Sequence, residues 1–260
     1  MELVAEMSGC HGGNLENAVK WIKVAKSVGA DAVKFQIYSP KALAEKRAAD
    51  GRGTYDELHD LYKRTFTPTY WFNELIAMAK DQEIPWFSSV FSKDDIDFAE
   101  TMDCPRYKIA SFEAKDLDLI KYAASKNKPM ILSINQDASW DHMAKAVLTA
   151  DNLVEPLTVL HATNYGVKMK DCKIHRVAQM KRELAKHVHF GLSDHTTSQV
   201  AAVMAAGVGA NMIERHMKLT NVPTPDDAFA SYPDEMEHLI MAIKYTIGAV
   251  EPRDRTRRYI

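Results

Sequence analysis

Short apolar runs alternate with longer amphipathic stretches along this chain, and that alternation predicts parallel strands joined by helices. Residues 3–7, Leu-Val-Ala-Glu-Met, read as a buried strand. Asn14 is placed to cap a helix whose apolar positions Ala18, Trp21, Ile22, Val24 and Ala25 recur at helical spacing, and Gly29 stops it. Residues 32–38 form the second strand. Its alternation puts Lys34 and Gln36 on one face, which must be polar inside or wet. From residue 41 to 67 the pattern loosens: charged, broken by Gly51-Arg52-Gly53, with one short helical segment near 56–63. This stretch is predicted to be an insertion looping over one end of the domain. Pro68 then opens a helix with Trp71, Leu75, Ile76, Met78 and Ala79 on its apolar side.

After that the rhythm is regular. Strands are predicted at 86–89, 107–111, 129–133 and 157–161, then in two runs ending at His195 and His216. Helices follow them at about 93–102, 116–125, 139–149, 171–186, 196–206 and 234–250. Eight strand–helix units without a Pro/Gly/Ser-rich linker predict one α/β domain, a (β/α)8 TIM barrel over residues 1–250, with a short basic tail at 251–260. An open doubly wound sheet is the rival. Gly9-Cys10-His11-Gly12-Gly13 lacks the glycine spacing of a phosphate loop after a first strand, which favours the barrel.

Composition narrows the function without naming it. With 46% hydrophobic and 26% charged residues and a net charge of −2, nothing supports binding to nucleic acid or a membrane surface. The cysteines Cys10, Cys104 and Cys172 are far apart and odd in number, which fits a reducing cytoplasm better than a disulfide framework. The apolar start is interrupted by Glu6 and is too short for a signal peptide, and no apolar run is long enough to span a bilayer.

The candidate chemistry collects at the carboxyl ends of the strands, where such barrels build their sites. Those ends carry Glu6; Lys34 and Gln36; Ser89; Lys108, Ser111 and Glu113; Ser133; His161 and Asn164; Ser193, Asp194 and His195; and Glu214 with His216. Each has a plain alternative: a serine caps the next helix, His161 is a core histidine, His195 and His216 are two ordinary buried imidazoles. As a set they are harder to dismiss, because buried charges of both signs need partners. Two lysines, four serines and an asparagine suit a small anion bearing phosphate and carboxylate. Two imidazoles with open positions suit a catalytic divalent metal, and Glu6 and Glu113 are candidates for proton transfer.

The motifs Ala5-Glu6, His11-Gly12-Gly13-Asn14, residues 29–36 (Gly-Ala-Asp-Ala-Val-Lys-Phe-Gln), 107–111 (Tyr-Lys-Ile-Ala-Ser), Leu132-Ser133, 191–195 (Gly-Leu-Ser-Asp-His) and 213–216 (Ile-Glu-Arg-His) resemble the sialic acid synthase family, in order, over nearly the whole chain. The resemblance implies condensation of phosphoenolpyruvate with an N-acetylhexosamine-type aldose (N-acetylmannosamine-like), giving a nonulosonic acid and phosphate. It implies His195 and His216 as ligands of a divalent metal, Mn2+ or else Mg2+ or Co2+. Lys34, Ser89, Lys108, Ser111, Ser133, Asn164 and Ser193 match positions that hold phosphoenolpyruvate. Glu6 and Glu113 match active-site glutamates, and Gln36 and Asp226 match groups facing the sugar. A homodimer is also implied.

The chain departs from the family pattern as well. The usual Ser-Thr-Gly-Met is Ser133-Ile134-Asn135-Gln136. Tyr-Pro is replaced by Asn164-Tyr165-Gly166, and Gly-Pro-Asp-His-Ala by Thr224-Pro225-Asp226-Asp227-Ala228. The sequence ends at Ile260, without the small antifreeze-like domain that supplies the family's sugar site with an arginine from a partner subunit. A separate antifreeze-like protein, or the tail arginines Arg253, Arg255, Arg257 and Arg258, are the expected substitutes. Condensation on a different aldehyde, and a non-catalytic barrel that binds an anion or a partner protein, are the competing functions.

Overall fold

The computed structural model describes residues 1–150, 157–219 and 222–250. The strands are β1 (Glu2–Glu6), β2 (Ala32–Ile37), β3 (Trp86–Val90), β4 (Tyr107–Ile109), β5 (Met130–Asn135), β6 (Thr158–Ala162), β7 (His189–Asp194) and β8 (Met212–His216). They pair in sequence order, all parallel, and β8 returns to β1 to close the barrel. The helices are α1 (Leu15–Ser27), α2 (Pro40–Ala49), α3 (Tyr55–Thr65), α4 (Phe72–Asp81), α5 (Lys93–Thr101), α6 (Leu117–Ala124), α7 (Trp140–Ala150), α8 (His175–Glu183), α9 (Val200–Gly207) and α10 (Pro233–Val250). The expected TIM barrel is therefore the observed fold. The basic tail at 251–260 lies outside the described residues. Among the described residues no helix is long and apolar enough to cross a membrane.

Strand alternation divides the barrel into two environments. Outward side chains such as Leu3, Val33, Phe35, Ile109, Leu132 and Ile213 join the helices in one large apolar cluster. Inward side chains stack in layers. Val4, Ala32, Phe87, Ile131, Leu160 and Met212 form a separate apolar layer that fills the barrel below its carboxyl rim. Burying a side chain of this kind contributes roughly 1.5–3 kcal/mol. Two residues further along the same strands, the inward positions turn polar: Glu6, Lys34, Ser89, Ser133 and Glu214. Gly191 is needed in β7 because a Cβ there would lie 2.0 Å from the Met212 carbonyl oxygen and 2.8 Å from Leu160 Cδ2.

In the stretch from 41 to 67 the helical segment expected near 56–63 is α3, but the part before it, expected as loop, holds the further helix α2. Ser39 caps α2 with Pro40 in its first turn, and Thr54 with Glu57 forms a reciprocal capping box at the start of α3. The two helices pack on each other over the barrel mouth. Other boundaries shift less. A 3-10 turn, Thr69–Trp71, follows Pro68 before α4, and another, Met169–Asp171, precedes α8. The α9 helix starts at Val200, because Thr196 donates to the Ser198 carbonyl and ties residues 196–198 into a turn.

Candidate functional site

The polar layer opens into a cavity of about 180 Å³ at the carboxyl rim. Ten of the expected site residues line it: Lys34, Gln36, Ser89, Lys108, Ser111, Ser133, Ser193, His195, His216 and Asp226. Register explains the convergence. Glu6 pairs with Lys34 on one side and His216 on the other, Gln36 with Ser89, Ser89 with Lys108, and Ser193 with Glu214. Neighbouring strands thus deliver their inward polar residues at one height.

At the base, two buried ammoniums share buried carboxylates. Lys34 Nζ lies 3.0 Å from Glu6 Oε2 and 3.4 Å from Glu214 Oε1, and donates to Ser89 Oγ at 2.8 Å. Lys108 Nζ contacts the same Glu214 oxygen, and Ser193 Oγ donates to it at 3.0 Å. Gln36 Nε2 donates to Glu6 Oε1 at 2.6 Å. Burial pushes the Glu6 carboxyl up, and the Lys34 charge only partly opposes it. Burial likewise lowers Lys108 to about 8, despite the pull of Glu214. Burial would also raise Glu214, but Lys108 and Lys34 together hold it well below the usual carboxylate range. Burial works against the Lys34 ammonium, yet Glu214 and Glu6 keep it above its ordinary value.

On the β7–β8 side the two imidazoles meet, with ring centroids 5.1 Å apart. His195 Nδ1 is 2.7 Å from the Thr163 carbonyl, and His216 Nδ1 is 3.0 Å from Asp226 Oδ2. Carbonyl and carboxylate oxygens only accept, so each Nδ1 carries a proton, and both rings leave Nε2 outside these contacts. Burial, with the neighbouring His216, lowers His195 to about 3, so its ring is neutral. Burial opposes the Asp226 charge, but His216 outweighs it and holds the carboxyl below its usual range. Two imidazoles, each with its Nδ1 anchored, form a donor set that suits a divalent metal with further positions open. Tyr165 stacks on Phe229 (5.1 Å, 11°) and meets the His195 ring edge-on at 4.7 Å.

Three expected residues do not line the cavity. Glu6 stands directly behind Lys34 and Gln36. Glu113 stands behind Arg47, whose Nη2 lies 2.6 Å from its Oε1, and burial raises its carboxyl against the Arg47 charge. Asn164 is drawn into the β5–β6 loops, where its side chain bonds to Asn135 (2.8 Å) and Asp137 (2.9 Å). His161 is the core histidine of its plain alternative: it is buried, with Nε2 2.9 Å from the Cys172 carbonyl. Asp194 faces outward and pairs with Arg215 at 2.7 Å. The sequence reading missed Arg47, Tyr38, Tyr62, Phe112 and Tyr165, all of which line the cavity. It also missed the central place of Glu214. The helical segment near 56–63 was expected and carries Tyr62, while the cap signal at Ser39-Pro40 would have revealed the helix that brings Arg47.

Comparison with known proteins agrees with this geometry. The model of the NeuB family matches residues 21–252. Pseudaminic acid synthase of Helicobacter pylori is 34% identical over 97% of this chain and 77% of its own length. The N,N'-diacetyllegionaminic acid synthase of Legionella pneumophila is 29% identical, over 93% and 71%. The crystal structure of N-acetylneuraminic acid (sialic acid) synthetase from Leptospira borgpetersenii, in complex with citrate, superposes with a TM-score of 0.87. It covers 98% of this chain and 87% of that one, and at 23% identity it speaks for the fold alone.

Proposed function

The chain belongs to the NeuB family, and we propose that it condenses phosphoenolpyruvate with an aldose to give a nonulosonic acid and inorganic phosphate. The observation that carries this reading is the pairing, in one cavity, of a lysine–serine base with two adjacent histidines. The base suits the phosphate and carboxylate of phosphoenolpyruvate, with Lys34, Lys108, Ser89, Ser111, Ser133 and Ser193 as donors and Asn164 at the rim. The histidine side, with Gln36 and Asp226, receives the aldose. His195 and His216 would hold a divalent ion, Mn2+ by the family resemblance, which supplies Lewis-acid polarisation of the aldehyde oxygen when bound.

In this reading C3 of the enol forms the new bond to the aldehyde carbon, and the former carbonyl oxygen takes up a proton. Water adds to C2 and gives up one proton, which balances the one taken by the former carbonyl oxygen; the C2–O bond to phosphate then breaks as the remaining C2 hydroxyl proton passes to the departing phosphate, leaving the C2 ketone. Two groups must move protons. Glu113 is the first candidate for the water side and Glu6 the second, because burial raises both carboxyls above their ordinary value and so favours the proton-carrying form. Lys34 and Lys108 hold the departing phosphate as charge develops on it.

The test is phosphate release from phosphoenolpyruvate with Mn2+ and a panel of aldoses that includes N-acetylmannosamine. Release that depends on one aldose supports a synthase. Phosphoenolpyruvate binding without turnover across the panel would refute it and favour a binding barrel.

A further inference from the structure

Part of the cavity wall comes from two helices outside the eightfold repeat. α2 and α3 follow β2, pack on each other, and contribute Leu43, Arg47, Leu61, Tyr62 and Thr65 to the wall. No residue of 40–66 belongs to the large apolar cluster that joins the other helices to the barrel. Their hold on it is of two other kinds. Tyr38, Leu43 and Phe91 make a small apolar cluster of their own, with Tyr62 and Phe66 packed against it. The second hold is a row of ion pairs between the end of α2 and the residues after β4. Arg47 Nη2 lies 2.6 Å from Glu113 Oε1, Lys46 Nζ 3.0 Å from Asp116 Oδ2, and Lys115 Nζ 2.5 Å from Asp50 Oδ1. Arg47 and Arg52 also cover the Phe112 ring, at 4.8 and 4.5 Å.

Such a seam opens more easily than the barrel unfolds, because it buries few side chains and two of its three ion pairs are partly exposed to water. Both ends of the segment carry a break in the helix: Ser39-Pro40 before α2, and Phe66, in extended conformation, after α3. The size of the cavity gives the opening a purpose. With both helices in place it measures about 180 Å³. Cavities that enclose a drug-sized ligand run roughly 300–1,000 Å³. A nonulosonic acid, with nine carbons in its chain, exceeds the space these helices leave.

We propose that α2 and α3 form a hinged lid, latched by the ion pairs of α2 to the loop after β4, that swings off the mouth to pass the aldose and the product. The inference rests on the condensation proposed above, whose product sets the size. Closing brings Arg47 against Glu113, the candidate proton carrier, so the site is complete only when the lid is shut.

Two measurements test it. Hydrogen exchange followed by mass spectrometry reads the opening without turnover. Asp50→Lys puts like charges across the outermost pair and should speed exchange over 40–65 about two- to fivefold, with α1 and α4 unchanged; adding Lys115→Asp should reverse it. The second measurement locks the lid. Asp50→Cys with Lys115→Cys is joined by a short bismaleimide, and the native cysteines, all buried, are spared. The linked chain should release phosphate at least about tenfold more slowly than the same chain capped with a monofunctional maleimide. Equal rates in the linked and capped chains overturn the lid and leave the condensation standing, as does exchange over 40–65 that Asp50→Lys leaves unchanged. No phosphate release by the unaltered chain with any aldose removes the condensation, and with it the role assigned to the lid, whatever the exchange shows.

Discussion

Glu214 is the internal counter-ion of the cavity base, and replacing it should trade stability for anion affinity. Its carboxylate contacts Lys108, lies 3.4 Å from Lys34 and accepts from Ser193. In Glu214→Gln the shape and the Ser193 contact are largely kept, and one buried negative charge is removed. Breaking a buried pair by removing one partner costs roughly 3–5 kcal/mol. For a chain of this size that lowers Tm by on the order of 10 °C. A phosphate held by the same ammoniums would sit roughly 6 Å from that carboxylate, and at an effective dielectric of about 20 the lost repulsion is about 3 kcal/mol. Inorganic phosphate should therefore bind up to ~100-fold more tightly to the variant. The gain depends on pH with a definite sign. Lys108 titrates at about 8 in the intact site, and losing Glu214, the strongest support of its charge, moves it lower. The unfolded lysine stays protonated to about 10.4, so below that value the folded variant binds fewer protons than the unfolded one. The stability deficit is thus greatest near pH 6 and shrinks toward pH 8, as Lys108 loses its proton. The affinity gain shrinks in the same direction. Titration calorimetry with phosphate at both pH values, beside thermal unfolding with and without phosphate, reads both quantities. Weaker phosphate binding by a folded Glu214→Gln chain at pH 6 would refute the counter-ion assignment and make Glu214 a positioner of the lysines.

Three other outcomes are expected. Chelation should abolish turnover, and His195→Ala or His216→Ala should each lower bound metal, measured by elemental analysis, without unfolding the barrel; wild-type metal content and rate in either variant would remove the histidine pair as a site. Glu113→Gln should bind phosphoenolpyruvate but turn over about 10²–10⁴-fold more slowly, whereas an unchanged kcat would exclude Glu113 from proton transfer. Burial lowers His161 to about 4, so the folded ring stays neutral while the unfolded one takes up a proton below about 6.5. Its contribution is complete above that pH and should fall by about 2 kcal/mol between pH 7.5 and 5. Urea unfolding at both pH values should show that slope reduced in His161→Gln, and an identical slope in the variant would contradict it.

The barrel was legible because five of its eight strands carry the same punctuation: an apolar run, then a polar residue two positions past the packed layer. Val4 with Glu6, Ala32 with Lys34, Phe87 with Ser89, Ile131 with Ser133 and Met212 with Glu214 repeat one rule around the ring. The mouth was only partly legible: α3 was visible as the segment near 56–63, but α2 buries only Leu43, Ala44 and Arg47 and lacks the apolar stripe of a helix lying on a sheet. Arg47 sits in a charged run, Lys46-Arg47, that reads as solvated surface, and its partner Glu113 lies beyond two further strands. Glu214 was visible as a strand-end acid. That it serves both lysines follows only from the register that sets Ser193 against it.

Charge balance links the two halves of the site. Lys34 and Lys108 at the base are matched by Glu6 and Glu214, just as Arg47 and Lys46 at the mouth are matched by Glu113 and Asp116. Unpaired ammoniums at this depth would be driven neutral by desolvation, so the carboxylates keep the base cationic. The same carboxylates would repel an incoming phosphate ester. Glu6 offers a way out, because its carboxyl is already raised by burial and can take a proton when an anion arrives. Protonating Glu6 leaves Lys34, Lys108 and one carboxylate, a net positive base, without exposing either lysine beforehand. At the mouth Arg47 pairs with Glu113 at 2.6 Å and Lys46 with Asp116 at 3.0 Å, and Glu113, also raised by burial, is the group there that can take a proton.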